Sequence, residues 1–382
     1  MKRVVVLGGG IGGLVTAYNV AKKLHPEEGE VVMIDRTGYH LFMPSLPWVA
    51  MGIREPRDIM RPLKILEKKR IKVLVDEVKL IKPEEHLVAT NTTKLNYDYL
   101  VVSLGSIPRE DLIPSNDPNV CTPWTTDGAM NCRKLLRNFK KGTILITPVS
   151  WPYKCPPAPF EVAFLTKYLM DQRGATDVKV KVAHFWKVPM EPFGPVIQEG
   201  FKKMLDQIGI EFVGGVQVEK FENGTLYTKS GEKIKYDMAI AVPPHLPPEP
   251  IIESGLSNPQ AFNFMKVDKK SLKLPGYDNV YGIGDVVAPS LNLGMGGVFA
   301  HFQGEHVASA IVDDIRGSYV GDDYNKGGLC IADLGYMGTV AYCDFTKRIY
   351  QGTFPDCVML GGGKALRVLK FAFEKFWLTK FF

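Results

Sequence analysis

The segment Cys155-Pro156-Pro157-Ala158-Pro159-Phe160-Glu161 sets a thiol six residues before a carboxylate, among three prolines. A thiolate is the nucleophilic form of cysteine, and an oxidised sulfur is an electrophile for it. Glu161 is a candidate base or proton acceptor for such chemistry. An acid near a helix N-terminus is also favoured by the helix dipole alone. Two further cysteines lie in segments of their own, Val120-Cys121-Thr122-Pro123 and Gly328-Leu329-Cys330-Ile331-Ala332-Asp333. Six cysteines in 382 residues are too sparse for a disulfide scaffold, and none forms a CxxC or CxxH pair, so no metal site is expected. Cys132, Cys343 and Cys357 read as structural. Cys330, in an apolar segment, would read the same way on its own.

These groups need a frame, and the N-terminus supplies one. The β-branched run Arg3–Leu7 leads into Gly8-Gly9-Gly10-Ile11-Gly12-Gly13, followed by an amphipathic helix over 14–23. The spacing of Gly8, Gly10 and Gly13, with Gly12 between, permits a tight turn, close approach to a pyrophosphate and close helix–strand packing. The helix start offers free N–H groups to phosphate. A second strand over 30–34 ends at Asp35, where an acid grips a ribose hydroxyl. The fingerprint predicts dinucleotide binding without choosing between FAD and NAD.

The middle of the chain repeats the strand but not the glycines. Gly142–Ile146 runs into Thr147-Pro148-Val149-Ser150-Trp151-Pro152-Tyr153-Lys154-Cys155, a loop with no glycine and with prolines that remove backbone donors. Such a loop cannot wrap a pyrophosphate. A helix over 161–171 follows, so the fold unit survives and the second nucleotide site is expected to be lost.

Three segments resemble the two-dinucleotide-binding flavoproteins: Tyr97–Ser106 with Gly105 in its closing turn, Val280–Asp285, and Gly294–Ala300 with Gly297 and Val298 opening a helix through 310. That resemblance implies FAD, with Asp285 on its ribityl chain and the later helix start facing the ring. The motif CPPAPFE, with PSLPWVAMG over 44–52, VCTP and GLCIAD, resembles the sulfide:quinone oxidoreductases and the related flavocytochrome c sulfide dehydrogenases. The likeness runs from residue 4 to at least 335. It implies that Cys155 and Cys330 meet over the flavin, joined directly or through extra sulfur. Hydrosulfide would attack there, two electrons would pass to FAD, and sulfur or polysulfide would leave. It also implies that Cys121 modulates activity or lies by the flavin edge, with a covalent link one option.

The fold class expected is α/β, with two Rossmann-like domains and a C-terminal membrane-associating region. The FAD domain takes 1–115 and 246–320, a degenerate second domain 116–245, and the tail 321–382. In Lys364–Phe382, the residues Lys364, Arg367, Lys370, Glu374 and Lys375 share one stripe, and apolar and aromatic residues cover the rest. This describes a helix lying in a membrane interface, or one docked on the protein's own core. An interfacial anchor would give access to a lipid quinone, with Tyr350, Phe354, Phe371 and Phe373 as ring-packing candidates. No apolar run reaches the length of a membrane span, and Lys2-Arg3 with the glycine-broken run after it is not read as a cleavable signal peptide. Net charge of +6 reads as a lysine-rich solvated surface, with no nucleic-acid partner expected. His184, His245 and His301 sit near recognisable elements as minor proton-transfer candidates. The runner-up activities are a type II NADH:quinone dehydrogenase, which the missing glycine loop argues against, and the flavocytochrome-linked dehydrogenase. A non-catalytic flavin-binding scaffold is the rival from another class. The membrane face and self-association are left open.

Overall fold

A computed structural model describes residues 1–319, 321 and 323–382. Strand β1 (Lys2–Leu7) is the middle of a five-stranded parallel sheet, flanked by β2 (Gly29–Asp35) and β4 (Tyr99–Val102). β3 (Ile71–Val75) closes one edge, and β10 (Val280–Gly282), arriving from far along the chain, closes the other. Val4–Leu7 are fully buried, as a strand covered on both faces must be. Helix α1 (Ile11–Lys23) begins at the end of β1, and α6 (Gly297–Ile315) packs along it.

A second sheet is made by β5 (Val120–Cys121), β6 (Gly142–Pro148), β7 (Val178–His184), β8 (Glu211–Gly214) and β9 (Met238–Val242), in the order β5-β9-β6-β7-β8 and wholly parallel. Its helices include α3 (Thr126–Asn138), α4 (Ala158–Gln172) and α5 (Pro195–Ile208). The chain is thus an α/β protein with two Rossmann-type parallel sheets. β10 rejoins the first sheet after the second is complete, so the first sheet is discontinuous in sequence.

The last layer is an antiparallel sheet, β11 (Gly327–Asp333), β12 (Gly338–Asp344) and β13 (Asp356–Gly363), followed by α7 (Lys364–Lys380). One face of this sheet exposes a cross-strand row, Leu329 opposite Tyr342 opposite Val358. Cys343 and Cys357, the next facing pair, are joined in a disulfide. No helix among the described residues is long and apolar enough to cross a membrane.

Helix α7 corrects the simplest reading of its stripe. The charged stripe does not all point away from the protein: Lys370 and Glu374 are buried and Arg367 half-buried, each paired with a charge from the body, while Lys364 and Lys375 are exposed. The outward face carries apolar side chains among the exposed lysines, with Val368 64% and Phe376 58% exposed, beside Leu369 and Phe373. Trp377, Leu378 and Phe381 dock inward. Leu360 on β13 extends the apolar surface at 66% exposure.

Candidate active site

The site is assembled from four elements. The loop after β6 brings in Lys154 and Cys155. Cys155 has φ +60°, a left-handed conformation unusual for a residue with a side chain, and its N–H donates to the Met295 carbonyl at 2.9 Å. This bond ties the thiol loop to the segment that opens α6. Glu161 follows in the first turn of α4. Cys330 arrives on β11, its side chain on the face opposite Leu329. α7 then lays Lys370 over the group.

Cys155 and Cys330 are free thiols, both half-buried. Burial pushes the Cys155 thiol far above its ordinary value, the charges of Cys330 and Glu161 push it further, and the Lys370 ammonium opposes them. Burial pushes Cys330 up to about 12, with Glu161 adding to the rise and Lys370 again opposing it. The two thiols and the Glu161–Lys370 pair therefore form one electrostatic cluster. Glu161 forms an ion pair with Lys370 and accepts the Asp333 N–H at 2.8 Å. Burial raises its carboxyl, against the pull of Lys370. Asp333, also buried, accepts from Trp48 Nε1 and Arg367 Nε, both at 2.9 Å.

Sequence reasoning missed Lys370, Asp333 and Lys154 as site residues. The signal was available for Lys370, since Arg367, Lys370 and Glu374 recur at helical spacing, and for Lys154 in its place beside Cys155. Asp333 closes the Cys330 segment without any motif of its own. Lys154 Nζ pairs with Asp285 at 3.0 Å, both largely buried.

Cys121 does not join the cluster as a thiol. It is bonded to Cys132, the Cα atoms 5.3 Å apart, with β5 and α3 holding the two face to face in the core. A thioether to flavin from Cys121 is excluded while that bond stands, which corrects its reading as a reactive cysteine. Cys132, Cys343 and Cys357 are structural, but as disulfide partners and not as the free thiols that their sparseness suggested.

The dinucleotide residues form a cradle. Gly8 has φ +98°, and a Cβ there would run into the Ser103 carbonyl; one at Gly13 would run into the carbonyl of Gly8. A Cβ at Gly10 or Gly105 would meet nothing within 4 Å, so both border open space. Asp35 accepts the Gly9 N–H at 2.8 Å at the end of β2. Gly12 lies in the first turn of α1, Gly297 packs against Ile11, and Val298 follows it into α6. His245 Nε2 is buried without a partner, and burial with the nearby Lys154 charge lowers the ring to about 4. A small-residue channel with helix N-termini at its ends and an orphaned polar atom at its wall fits a bound flavin dinucleotide.

The corresponding crevice of the second sheet is filled. Tyr153, fully buried, bonds His184 Nε2 at 3.0 Å, and His184 stacks on Trp186 at 4.1 Å. Trp151, Phe160 and Phe185 complete an aromatic cluster at the carboxyl ends of β6 and β7, where an open α/β sheet receives a nucleotide. His184 is a core residue of this cluster. His301 contacts Glu305 and the edge of Trp377. Of the ring-packing candidates, Phe371 stacks on Trp48 at 4.1 Å and Phe373 lies 5.8 Å from Phe42, while Tyr350 and Phe354 are exposed between β12 and β13.

Comparison with known proteins places this geometry. The pyridine nucleotide-disulphide oxidoreductase family pattern matches residues 2–145. The sulfide-quinone reductase of Aquifex aeolicus is 27% identical across 99% of this chain and 91% of its own length. The crystal structure of the Aquifex aeolicus sulfide:quinone oxidoreductase superposes with a TM-score of 0.88 at 26% identity, covering 100% of this chain and 91% of that one. The chain is a homologue of the sulfide:quinone oxidoreductases. The mitochondrial sulfide:quinone oxidoreductase of Dictyostelium discoideum is 29% identical over 74% of this chain, which spans 65% of that protein's length. The sulfide:quinone oxidoreductase fold thus extends over the whole chain, including β11–β13 and α7, and its cofactor is FAD.

Proposed function

We propose that this chain oxidises hydrogen sulfide to sulfur or polysulfide and passes the two electrons to a lipid quinone at a membrane surface. The observation that supports this reading is that Cys155 and Cys330, from distant parts of the chain, both feel the charges of the buried Glu161–Lys370 pair, whose lysine comes from a helix with exposed apolar side chains. The same reading assigns 1–115 and 246–320 to FAD, 116–245 to the domain bearing Cys155, and 321–382 to the layer bearing Cys330 and the membrane surface. Gly8, Gly10, Gly12, Gly13, Asp35, Gly105, Asp285, Gly297 and Val298 hold the cofactor. When bound, FAD accepts the electron pair released by sulfide and delivers it to quinone.

The chain's own residues handle sulfur and protons. In the oxidised pair, Cys155 and Cys330 are joined directly in a disulfide. Hydrosulfide attacks one of them, the S–S bond breaks, and the products are a persulfide and the partner's thiolate. Lys370 stabilises that thiolate, which burial otherwise opposes. Glu161 takes the proton that leaves the persulfide; burial raises its carboxyl, against the pull of Lys370. Each sulfide taken to the zero-valent level yields two electrons, and the quinone that receives them takes up two protons. The apolar faces of α7 and β11–β13 seat the protein on lipid as a peripheral protein, without a crossing helix.

Anaerobic mixing of the FAD-loaded protein with sulfide or with NADH tests this directly. Sulfide is expected to bleach the flavin absorbance and NADH to leave it unchanged, since the nucleotide crevice is filled by Tyr153, His184 and Trp186. Bleaching by NADH alone would establish the dehydrogenase reading instead, and bleaching by neither would favour a non-catalytic flavoprotein.

A further inference from the structure

A cavity of about 330 Å³ lies where the end of α2 (Leu46–Ala50), α3 and the C-terminal end of α4 meet. Arg133 and Arg137 on α3 and Arg173 just after α4 line it, with Met51, Gly52 and Leu169. Arg133 and Arg137 are four residues apart, so one helical face presents both guanidiniums to the same space. Arg133 pairs with Glu55 at 2.9 Å. Arg173 is held only by the Leu136 carbonyl, at 2.9 Å. Among the described residues, no carboxylate pairs with Arg137 or Arg173. Burial and the charge of Arg137 lower the Arg173 guanidinium, a sign that the positive charges press on each other.

The backbone accommodates this arrangement. Gly52 has φ +78°, and a Cβ there would sit 3.3 Å from Arg133 Nε, so the loop leaves the guanidinium room to lie against it. Three guanidiniums lining one cavity, with a single acid against them, match an oxyanion in charge, and planar forks are the donors such an anion takes. The cavity is separate from the thiol cluster and from the flavin cradle, and neither use explains it.

Its position says where the anion comes from. Trp48, on α2, stacks on Phe371 of α7, and Arg367 of α7 lies over Tyr168, the residue before Leu169. From Tyr168 to Arg173 is roughly 7.5 Å along α4 at 1.5 Å per residue. The cavity is therefore lined by residues of α2 and α4 that adjoin the ones packed on the inner side of α7. We propose that this cavity binds a phosphate group, supplied by an anionic phospholipid headgroup beside the apolar face of α7. The lipid source rests on the membrane reading; the phosphate chemistry does not.

Two arms test it on the full-length, FAD-loaded protein. Calorimetric titration with inorganic phosphate probes the cavity alone. Sedimentation with vesicles of phosphatidylcholine, with and without phosphatidylglycerol, probes the headgroup. Arg137→Gln is expected to weaken binding to phosphatidylglycerol vesicles about fivefold, the equivalent of about 1 kcal/mol per basic residue at an anionic surface. Arg137→Glu should weaken it further, while binding to pure phosphatidylcholine stays unchanged and flavin absorbance reports an intact fold. Lys203→Gln, on α5, serves as the charge control and should have no effect. Phosphate binding lost in Arg137→Glu with vesicle binding unaltered would retain the site and overturn the lipid source. Equal phosphate and equal vesicle binding by wild type and Arg137→Glu would overturn the site. If vesicles of neither composition bind, the membrane reading fails by itself and the phosphate arm still decides the cavity.

Discussion

Lys370 and Glu161 form an ion pair closed off from solvent between the C-terminal helix and the helix that follows Cys155. The pair holds a proton acceptor and a cation at the same place as two thiols. Removing either partner leaves a buried charge uncompensated, at a cost of roughly 3 kcal/mol or more.

The two partners should fail differently. Glu161→Gln is expected to slow sulfide-driven flavin bleaching about 10²-fold, the usual contribution of a positioned acid–base group. Lys370→Met removes the charge that favours both thiolates, so the pH profile of bleaching should move to more alkaline pH. Stopped-flow profiles between pH 6 and 10 check both, and an unmoved profile in Lys370→Met would separate Lys370 from the thiols.

The paired state of Cys121 makes the flavin dissociable. Denaturation of the loaded protein should release all FAD into the filtrate, and the protein mass should carry no flavin adduct. Cys121→Ser should destabilise by roughly 3 kcal/mol, the value for a short closed loop, while leaving FAD bound. A flavin-sized mass addition on the Cys121 peptide would refute the disulfide assignment.

Three buried histidines make the fold acid-labile. Burial lowers His40 to about 4, His245 to about 4 and His184 to about 3, from an ordinary value of 6.5. Below pH 6.5 the unfolded chain binds protons that the folded chain refuses, so stability is full at pH 7 and is lost as pH falls toward 4. Each group contributes a slope of about 1.4 kcal/mol per pH unit in that window. At His40 the loss has a structural cause: Nε2 accepts the Trp377 indole N–H at 3.0 Å, and its protonation would break that bond. Denaturation midpoints from pH 7 to 4.5 should fall steeply, and His40→Gln should shallow the fall by about one proton. A flat series would remove the argument.

The outer face of α7 should govern lipid binding. Val368→Ser or Phe376→Ser is expected to weaken vesicle binding about tenfold, for a loss of roughly 1.5 kcal/mol of apolar burial. Bleaching by sulfide in solution should be unaffected. Equal sedimentation of both variants with wild type would exclude this face as the lipid contact.

Much of this was legible in the residues. The glycines from Gly8 to Gly13 announced a dinucleotide turn because a Cβ at Gly8 or Gly13 collides with backbone, a constraint that leaves a direct mark on sequence. The proline-rich loop before Cys155 showed no glycine turn for a second nucleotide, and in the fold an aromatic cluster of Tyr153, His184 and Trp186 stands at that end of the sheet. Helical spacing correctly grouped Arg367, Lys370 and Glu374, but spacing says which residues share a face and not what that face meets. Their partners, Asp333, Glu161 and Arg54, lie far away in the chain, and only the fold brings them near. The Cys121–Cys132 bond was hidden for the same reason, since it joins a strand to a helix through tertiary packing.

Cys330 and Leu329 are neighbours in sequence that belong to opposite environments, one facing the sulfur chemistry and the other the exposed row with Tyr342 and Val358. A strand pairing displaced by one residue would exchange them, presenting the thiol outward and sealing a leucine into the site. Alignment here is thus a condition for chemistry as well as for packing. The Cys343–Cys357 crosslink, one pair along from that row, fixes the phase of β12 against β13 and so keeps the template on which β11 lies from slipping. A disulfide that touches neither sulfide nor flavin thereby guards which side of the sheet is reactive.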